Sequence, residues 1–347
     1  MIRSALATAL ALMSLAAPAH AQCPDASAPT ATALDAALAR PPAPAPQAMP
    51  RLHTEGTLPH QGIYDQSAAA RRDFGYMRDL ALTWRVLHRQ AALDRLAAYF
   101  DAWMAVYRPS FNPIDETGLD DLIDAYRIAQ PDLPTDSAER VQGFLRDMAE
   151  GYLRQMADNA HRTRGSWTNN WQSHRVKLAT MSAAALGDEA LWRQARQAFV
   201  RQLEANIGAD GEVIDFRERD ALHYVTYDLE PLLRAILSAR AQGEDWLDMK
   251  GRDGQSVRAA LDWLLPYAQG SKTHEEFART TVKFDITRRD AGIAGFGGQW
   301  NPQKAAGLLW AASVLDARYL PTAKALAATP PRWVWAVDTC TLGAAAR

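Results

Sequence analysis

Cysteine is nearly absent from this chain of 347 residues, which contains only Cys23 and Cys340. No group of cysteines and histidines has the spacing of a zinc site, and no segment has the acidic pattern of an EF-hand loop. The sequence therefore predicts no metal site, and none of its motifs implies an organic cofactor.

Long apolar runs and basic runs are lacking as well. Beyond the N-terminal segment, no stretch reaches the roughly 18 apolar residues that a membrane-spanning helix requires. The chain has 38 basic and 40 acidic residues, and the basic ones form no run. We therefore expect neither a membrane-spanning helix nor a nucleic-acid partner.

The first 21 residues have the pattern of a cleavable secretory signal. Arg3 precedes an apolar run over residues 5–17, and residues 19–21 read Ala-His-Ala, an A-x-A cleavage site. We therefore expect a mature chain that begins near Gln22 and is periplasmic or secreted.

The two cysteines lie at opposite ends of this mature chain. In an oxidising compartment, a pair of this kind is expected to form a disulfide. The predicted bond joins Cys23 to Cys340 and ties the N-terminal segment to the C-terminus.

Apolar residues recur at three- and four-residue spacing from about residue 65 onwards, which predicts amphipathic helices. Strand-like alternation is scarce, so residues 63–347 are expected to form a single all-α domain of antiparallel helix pairs. Residues 22–62 are rich in Ala and Pro, which predicts an extended N-terminal arm. The predicted helices are Gln66–His88, Ala91–Tyr107, Glu116–Ile128, Ser137–Asp158, Asn170–Leu186, Glu189–Ile207, Ala221–Arg240, Ser256–Tyr267 and Pro302–Leu315.

Two polar clusters interrupt this helical pattern. Residues 166–175 read SWTNNWQSHR, and residues 215–224 read DFRERDALHY. Amides and guanidinium groups bind carboxylates by hydrogen bonds, whereas imidazole and phenol groups transfer protons. Together these groups are the ones needed to cleave an acidic sugar polymer by elimination.

The two clusters resemble the alginate lyase superfamily, in which an Asn-Asn-His triplet opens a core helix. In that family a later helix reads Ala-Leu-Ala-Tyr-His-Asn-Tyr-Ala-Leu-Pro-Pro-Leu, and residues 221–232 here read ALHYVTYDLEPL. The resemblance implies that the catalytic tyrosine is Tyr224, that the substrate-binding arginine seven residues earlier is Arg217, and that the family's asparagine is Asn170. It also implies that the all-α domain is an incomplete (α/α) toroid whose inner helices line a cleft.

The chain departs from the family pattern at Trp171, which stands where the mannuronate lyases carry the histidine of the triplet. His174 lies one helical turn further on, on the same helix face as Asn170. Either His174 has taken over the catalytic role of that histidine, or the chain belongs to a branch with a different substrate or chemistry.

Neighbouring residues compete for these roles. Arg219 is the alternative to Arg217 as the carboxylate-binding group, Tyr227 is the alternative phenol, and His223 is a second proton carrier. A structural role is the alternative for each candidate: an asparagine at a helix start is often a cap, and a tryptophan is often a core residue. The residues expected to contact the substrate are Asn169, Trp167, Trp171, Arg175, Arg219, His223, Tyr227 and Trp300.

A basic patch lies outside the two clusters and contains Lys283, Arg288 and Arg289. These residues either bind outer carboxylates of an acidic polymer or belong to a solvated loop. The sequence does not decide between the two.

The sequence and the resemblance together predict a polysaccharide lyase that cleaves a (1→4)-linked polyuronate, with alginate or polymannuronate as the leading candidate. Tyr224, His174, Arg217 and Asn170 are the predicted catalytic residues, and the enzyme is expected to be monomeric and free of cofactors. The alternatives are a lyase acting on glucuronan or a glycosaminoglycan, and a non-catalytic protein that binds acidic glycans. A hydrolase is less expected, because it normally needs two placed carboxylates.

Overall fold

The computed structural model describes residues 28–337, and within this range the protein is all-α, with isolated bridges but no β-strand. Short 3-10 turns extend or connect several of the helices. The helices are α1 (Ala28–Ala39), α2 (Tyr64–Ala70), α3 (Arg72–Leu87), α4 (Gln90–Val106), α5 (Leu119–Ala129), α6 (Thr135–Asp158), α7 (Asn170–Leu186), α8 (Glu189–Asn206), α9 (Ile214–Arg219), α10 (Leu222–Ala241), α11 (Val257–Ala268), α12 (Lys283–Asp290), α13 (Ala306–Leu315), α14 (Leu320–Leu326) and α15 (Arg332–Trp335).

The helices form two layers. In the inner layer α3, α5, α7, α10 and α13 pack one against the next, and in the outer layer α4, α6 and α8 do the same. Outer helices pack on inner neighbours, as α4 does on α3 and α8 on α7. This arrangement is an incomplete (α/α) toroid, so the predicted fold class is confirmed.

Helix α7 shows how the sequence sets the ends of an inner helix. It starts at Asn170 because the side chain of Asn169 accepts a hydrogen bond from the backbone N–H of Trp171 at 3.2 Å. It ends at Gly187, whose φ of 63° places it in the left-handed region that glycine adopts without strain. Between these ends the helix is buried on all sides, as expected of an inner helix.

Ion pairs, and not only apolar side chains, join the inner helices. The Lys177 ammonium of α7 lies 2.8 Å from the Asp120 carboxylate of α5, and the Arg234 guanidinium of α10 lies 2.7 Å from Asp124. All four residues are largely buried. Buried pairs of this kind contribute little net stability but strongly penalise the loss of one partner, so they fix how the inner helices sit against each other.

The prediction of an extended N-terminal arm over residues 22–62 is wrong for part of that segment. Residues 28–39 form α1, which packs on α3, and both Leu34 and Leu52 are fully buried. The Ala-rich residues 28–39 precede the first proline of the Pro-rich stretch, so they keep the high helix propensity of alanine. The average composition of residues 22–62 does not show where the Ala-rich helix ends and the Pro-rich stretch begins.

Two further predictions fall outside the described residues. They are the signal sequence over residues 1–21 and the bond between Cys23 and Cys340, and both stay predictions. Within residues 28–337, no helix has the combined length and apolar character that a membrane crossing demands.

Candidate active site

A cleft of about 500 Å³ opens where α7 and α10 begin. One wall comes from the loop over residues 54–59, and another comes from α12 and the loop that follows it. The predicted site residues that line the cleft are Asn169, Asn170, Trp171, Arg219, His223, Tyr224 and Tyr227.

Tyr224 lies in this cleft with its hydroxyl between a cation and an anion. Its oxygen accepts a hydrogen bond from Arg288 at 3.0 Å, and its proton is donated to Asp285 at 3.3 Å. The guanidinium of Arg219 stacks on its ring, 3.9 Å from the centroid. Burial raises the pKa of Tyr224 to about 12; the charges of Arg219 and Arg288 act in the opposite direction, and Asp285 adds to the increase.

Asp285 organises the arginines around Tyr224. It is fully buried, both of its oxygens lie 2.7 Å from the Arg219 guanidinium, and Arg288 lies 3.9 Å away on the same helix. These contacts fix Arg219 and Arg288 beside the phenol. Helix α12 therefore contributes both the anion and one of the cations of the site.

Asn170 is held by a buried carboxylate. Asp215 accepts hydrogen bonds from the Asn170 backbone N–H at 2.7 Å and from its side-chain amide at 2.5 Å. Helix α7 is capped by Asn169 and not by Asn170, so the Asn170 side chain is free to line the cleft. Burial raises the pKa of Asp215 to about 7, although the hydrogen bonds from Asn170 oppose the shift.

A second buried carboxylate, Asp228, binds α7 close to Asn170. It accepts hydrogen bonds from Ser173 at 2.7 Å and from Asn206 at 3.2 Å, and its other oxygen has no partner among the described residues. Burial, together with the nearby charge of Asp215, holds the pKa of Asp228 well above its usual range. Folding therefore disfavours the ionised form of Asp228.

We expect the substitution Asp228→Asn to be tolerated and to stabilise the protein at high pH. A carboxyl group whose pKa is raised by folding stabilises the folded state below its unfolded pKa of about 3.9, and this stabilisation is lost as the pH rises through the folded pKa. Asparagine keeps the acceptor oxygen and cannot ionise. Urea unfolding at acidic, neutral and alkaline pH should show that the free energy of unfolding of the variant, relative to that of the wild type, increases as the pH rises. A difference that stays constant with pH would contradict the argument.

His174 lies behind the cleft and does not line it. It is buried, and its ring lies 4.5 Å from the ring of Tyr227. The hydroxyl of Thr117 accepts a hydrogen bond from Lys177 at 2.9 Å and forms a second one with Nδ1 of His174 at 2.8 Å. Burial, and then the charge of Lys177, hold the pKa of His174 well below its usual value. The imidazole is therefore neutral at neutral pH.

His223 does line the cleft. Its ring packs against Tyr224 and Phe296, with centroids 5.2 Å and 5.3 Å away. Burial, followed by the charge of Arg288, lowers the pKa of His223 to about 4. It is therefore a neutral side chain of the cleft wall at neutral pH.

The structure does not bring Arg217 to the cleft. Its side chain is 57% exposed, and its guanidinium pairs with Glu212 at 3.1 Å. Arg219 occupies the cleft instead, so of the two competing arginines the geometry favours Arg219.

Three predicted substrate contacts also lie outside the cleft. Arg175 is buried and donates hydrogen bonds to Gln155 at 2.8 Å and to the carbonyl of Ser166 at 2.5 Å, so it anchors the loop before α7. Trp167 lies under the guanidinium of Arg175, 4.1 Å from it. Trp300 is a core residue, and Phe296 reaches the cleft from the same loop in its place.

The cleft also contains residues that the sequence patterns did not identify. Glu55 and Arg71 line it from the N-terminal part of the chain, and Arg288 lines it from α12. The fully buried Asp285 of α12 contacts the hydroxyl of Tyr224 without lining the cleft. Arg288 belonged to the basic patch noted in the sequence, which was the only available signal. The other three lie far from both polar clusters in the chain.

Comparisons with known proteins place this architecture among solved folds. The chain matches the sequence profile described as Alginate lyase over residues 17–274, and no curated protein matches it. An alginate lyase from Bacteroides ovatus is similar in structure, with a TM-score of 0.56 and 17% identity over 90% of each chain. Alginate lyase A1-III from Sphingomonas species A1 gives a TM-score of 0.51 and 20% identity over 69% of this chain and 72% of that one. A substituted variant of alginate lyase A1-III, complexed with a tetrasaccharide, gives a TM-score of 0.50 and 19% identity over 67% of this chain and 69% of that one. At these identities the solved structures show a shared fold.

Proposed function

The chain belongs to the alginate lyase family and is a polysaccharide lyase, and from this premise we propose that it cleaves a (1→4)-linked polyuronate by β-elimination. Alginate, and polymannuronate in particular, is the leading substrate. The observation that carries the proposal is the Tyr224 hydroxyl in the cleft, held between Arg288 and Asp285. The structure of alginate lyase A1-III with a bound tetrasaccharide supports an oligosaccharide as occupant of a cleft on this fold.

β-Elimination at a uronate has three chemical requirements. The carboxylate at C5 must be neutralised so that the proton on C5 becomes acidic, a base must remove this proton, and an acid must protonate the leaving oxygen O4. Hydrogen-bond donors aimed at the carboxylate act most strongly as negative charge develops there. The amide of Asn170 and the guanidinium groups of the cleft are donors of this kind.

Tyr224 is the proposed acid. Its proton is donated to Asp285 over a long 3.3 Å contact in the ligand-free cleft, so rotation about one bond redirects it to a glycosidic oxygen. The cations Arg288 and Arg219 lower the free energy of the phenolate that remains.

The stereochemistry of the substrate decides whether one phenol suffices. In mannuronate, the C5 proton and O4 lie on the same face of the sugar. Once Tyr224 has given up its phenolic proton, the phenolate beside Arg219 and Arg288 can therefore take the proton from C5 and return it to O4. In guluronate they lie on opposite faces, and a second group is needed. His174 does not line the cleft, which favours the mannuronate case.

The apolar part of the cleft suits the carbon faces of sugar rings. Trp171, Phe284 and Phe296 line it beside the charged groups. Aromatic side chains of this kind bind the C–H faces of sugars while hydrogen-bond donors bind the polar edges. The position of Trp171 therefore supports a role in sugar binding for the residue that replaces the family's histidine.

A substrate panel tests the proposal. Polymannuronate, polyguluronate, glucuronan and a glycosaminoglycan are incubated with the enzyme, and the ultraviolet absorbance of the new C4=C5 double bond is followed together with the release of reducing ends. We expect both signals, and the largest on polymannuronate. Reducing ends without the absorbance would indicate a hydrolase, and binding with neither signal would indicate a glycan-binding protein; both would overturn the proposal.

We propose in addition that the chain is exported and that Cys23 and Cys340 form a disulfide in the exported protein. The proposal rests on the signal pattern before Gln22 and on the absence of other cysteines. Intact mass and thiol labelling of natively purified protein should show cleavage near residue 21 and no free thiol. Two free thiols would refute the bond.

A further inference from the structure

A third guanidinium lines the cleft besides those of Arg219 and Arg288, and it belongs to Arg71. Arg219 is occupied by both oxygens of Asp285, and Arg288 is occupied by Tyr224 with Asp285 close by. The guanidinium of Arg71 donates only to the neutral hydroxyl of Thr54, at 3.2 Å, among residues 28–337. Of the three cations that line the cleft, Arg71 alone has no carboxylate partner among residues 28–337.

Arg71 is held in place although its donors are free. Its backbone N–H bonds to the carbonyl of Ser67 at 3.0 Å, at the junction of α2 and α3. Its partner Thr54 is fixed in turn by the fully buried Asp115, which accepts the Thr54 backbone N–H at 2.7 Å and the Glu55 backbone N–H at 2.9 Å. A guanidinium on such a support is preorganised for binding, because little side-chain freedom remains to be lost.

The carboxylate of Glu55 lines the same cleft without taking the place of a substrate carboxylate. Among residues 28–337 it forms no ion pair with Arg71. Burial, followed by the charge of Asp115, raises the pKa of Glu55. Glu55 and Arg71 therefore both line the cleft without pairing with each other, and the N–H groups of the Arg71 guanidinium are not used by Glu55.

Arg71 lies on the side of the cleft that faces Tyr227 and His174. Burial raises the pKa of Tyr227, and the charge of Arg71 is the largest influence in the opposite direction. The same charge adds to the lowering of the pKa of His174, after burial and Lys177. An anion bound to Arg71 would thus lie in the same cleft as Tyr224 and Tyr227.

We propose that Arg71 binds the C5 carboxylate of the uronate that undergoes elimination. The inference rests on the proposed function and assigns the carboxylate to a residue outside both polar clusters. A guanidinium can bind a carboxylate through two parallel hydrogen bonds, and it does not lose its proton.

The assignment fits the electron flow of the reaction. As the base removes the proton from C5, the electron pair of that bond delocalises into the carboxylate, whose negative charge grows against the Arg71 guanidinium. The pair then forms the C4=C5 double bond, the C4–O4 bond breaks, and O4 takes a proton from the acid. Arg71 therefore binds the transition state more tightly than the ground state and raises kcat more than it lowers KM.

The test compares Arg71→Ala and Arg71→Lys with the matched control Arg72→Ala in the full-length enzyme. Arg72 is the next residue in the chain, is exposed and does not line the cleft. We expect Arg71→Ala to lower kcat about a hundred- to a thousand-fold, with a smaller change in KM. Arg71→Lys should recover part of the loss, since an ammonium keeps the charge but not the paired hydrogen bonds, and Arg72→Ala should stay within about twofold of wild type.

Chemical rescue separates a direct contact from a structural role. Added guanidinium chloride at low, non-denaturing concentration should raise the kcat of Arg71→Ala, whereas sodium chloride at equal ionic strength should not. Circular dichroism and the unfolding midpoint establish that the variant is folded. Loss of activity without rescue, or near-normal kcat in Arg71→Ala, would overturn the inference.

Activity of the wild-type enzyme distinguishes failure of this inference from failure of the proposed function. If the wild type produces no unsaturated product from any polyuronate, the proposed function fails and no role remains for Arg71 in it. If the wild type is active and the Arg71 variants equal it, only the assignment to Arg71 fails.

Discussion

Replacing Tyr224 by phenylalanine should lower the elimination rate by about a hundred- to ten-thousand-fold, which is the usual worth of a general acid or base. The change removes one oxygen, together with its contacts to Arg288 and Asp285. Asp285 keeps its bonds to Arg219, so the local structure should persist. The rate is measured from the absorbance of the unsaturated product, and substrate affinity from titration of an inactive or slow variant with oligouronate.

Tyr227→Phe is the matched control for this prediction. Tyr227 is on the same helix and lines the same cleft, and its hydroxyl has no hydrogen-bond partner among the described residues. We expect it to affect KM more than kcat. A Tyr224→Phe enzyme with near-normal turnover, together with an inactive Tyr227→Phe enzyme, would reassign the acid to Tyr227.

The substitution Asp285→Ala should destabilise the protein by about 3–5 kcal/mol, the typical cost of removing one member of a buried ion pair. Asp285 is fully buried, and its loss removes the only described carboxylate partner of Arg288 and the nearer of the two described partners of Arg219, whose other partner, Asp215, lies 3.8 Å away. Arg219 is 15% exposed and can regain little hydration. Urea unfolding monitored by circular dichroism gives the change in the free energy of unfolding.

Asp290→Ala serves as the control on the same helix. Asp290 is 66% exposed and pairs with Arg289 at the surface, so its loss should have little effect on stability. Asp285→Asn, if folded, should also move the alkaline limb of the pH–rate profile to lower pH, because the negative charge that opposes ionisation of Tyr224 is gone. Equal stability of the Asp285 and Asp290 variants would contradict the role given to the buried carboxylate.

The toroid could be predicted from the sequence because its inner and outer helices are long and strongly periodic. Helix α7 has the predicted bounds, since Asn169 and Gly187 are clear start and stop signals. The short helices α9 and α12 were not predicted, because a segment of six or eight residues carries too little periodicity. Both of these short helices carry charged residues of the cleft.

Arg219 lies in the cleft in place of the predicted Arg217 for a local geometric reason. The seven-residue spacing from Arg217 to Tyr224 would suggest one continuous helix, but the chain breaks at Asp220, whose φ is 54°. Residues of α9 and α10 therefore do not follow one continuous helical repeat, and the spacing between them does not predict which residues share a face. Arg217 turns outward to Glu212, and Arg219 turns inward to the ring of Tyr224. No spacing rule along the chain could have shown this.

Arg71 and Asp285 could not have been predicted for a related reason. Each lies in a segment that reads as an ordinary amphipathic or solvated stretch. Only the packing of the whole toroid brings Arg71 to the cleft and Asp285 to the hydroxyl of Tyr224. Tyr224 and Asn170, in contrast, were identified by the resemblance, since they open two neighbouring inner helices.

The two walls of the cleft, residues 54–59 and residues 282–296, come from opposite ends of the described chain. Helix pairs in the middle of the chain make local contacts and can form early during folding, whereas the meeting of these walls requires closure of a very long loop. A folding intermediate can therefore hold nearly all of its helical structure and still have no enclosed binding site. We therefore expect catalytic competence to arise late in folding, when residues 282–296 dock against residues 54–59.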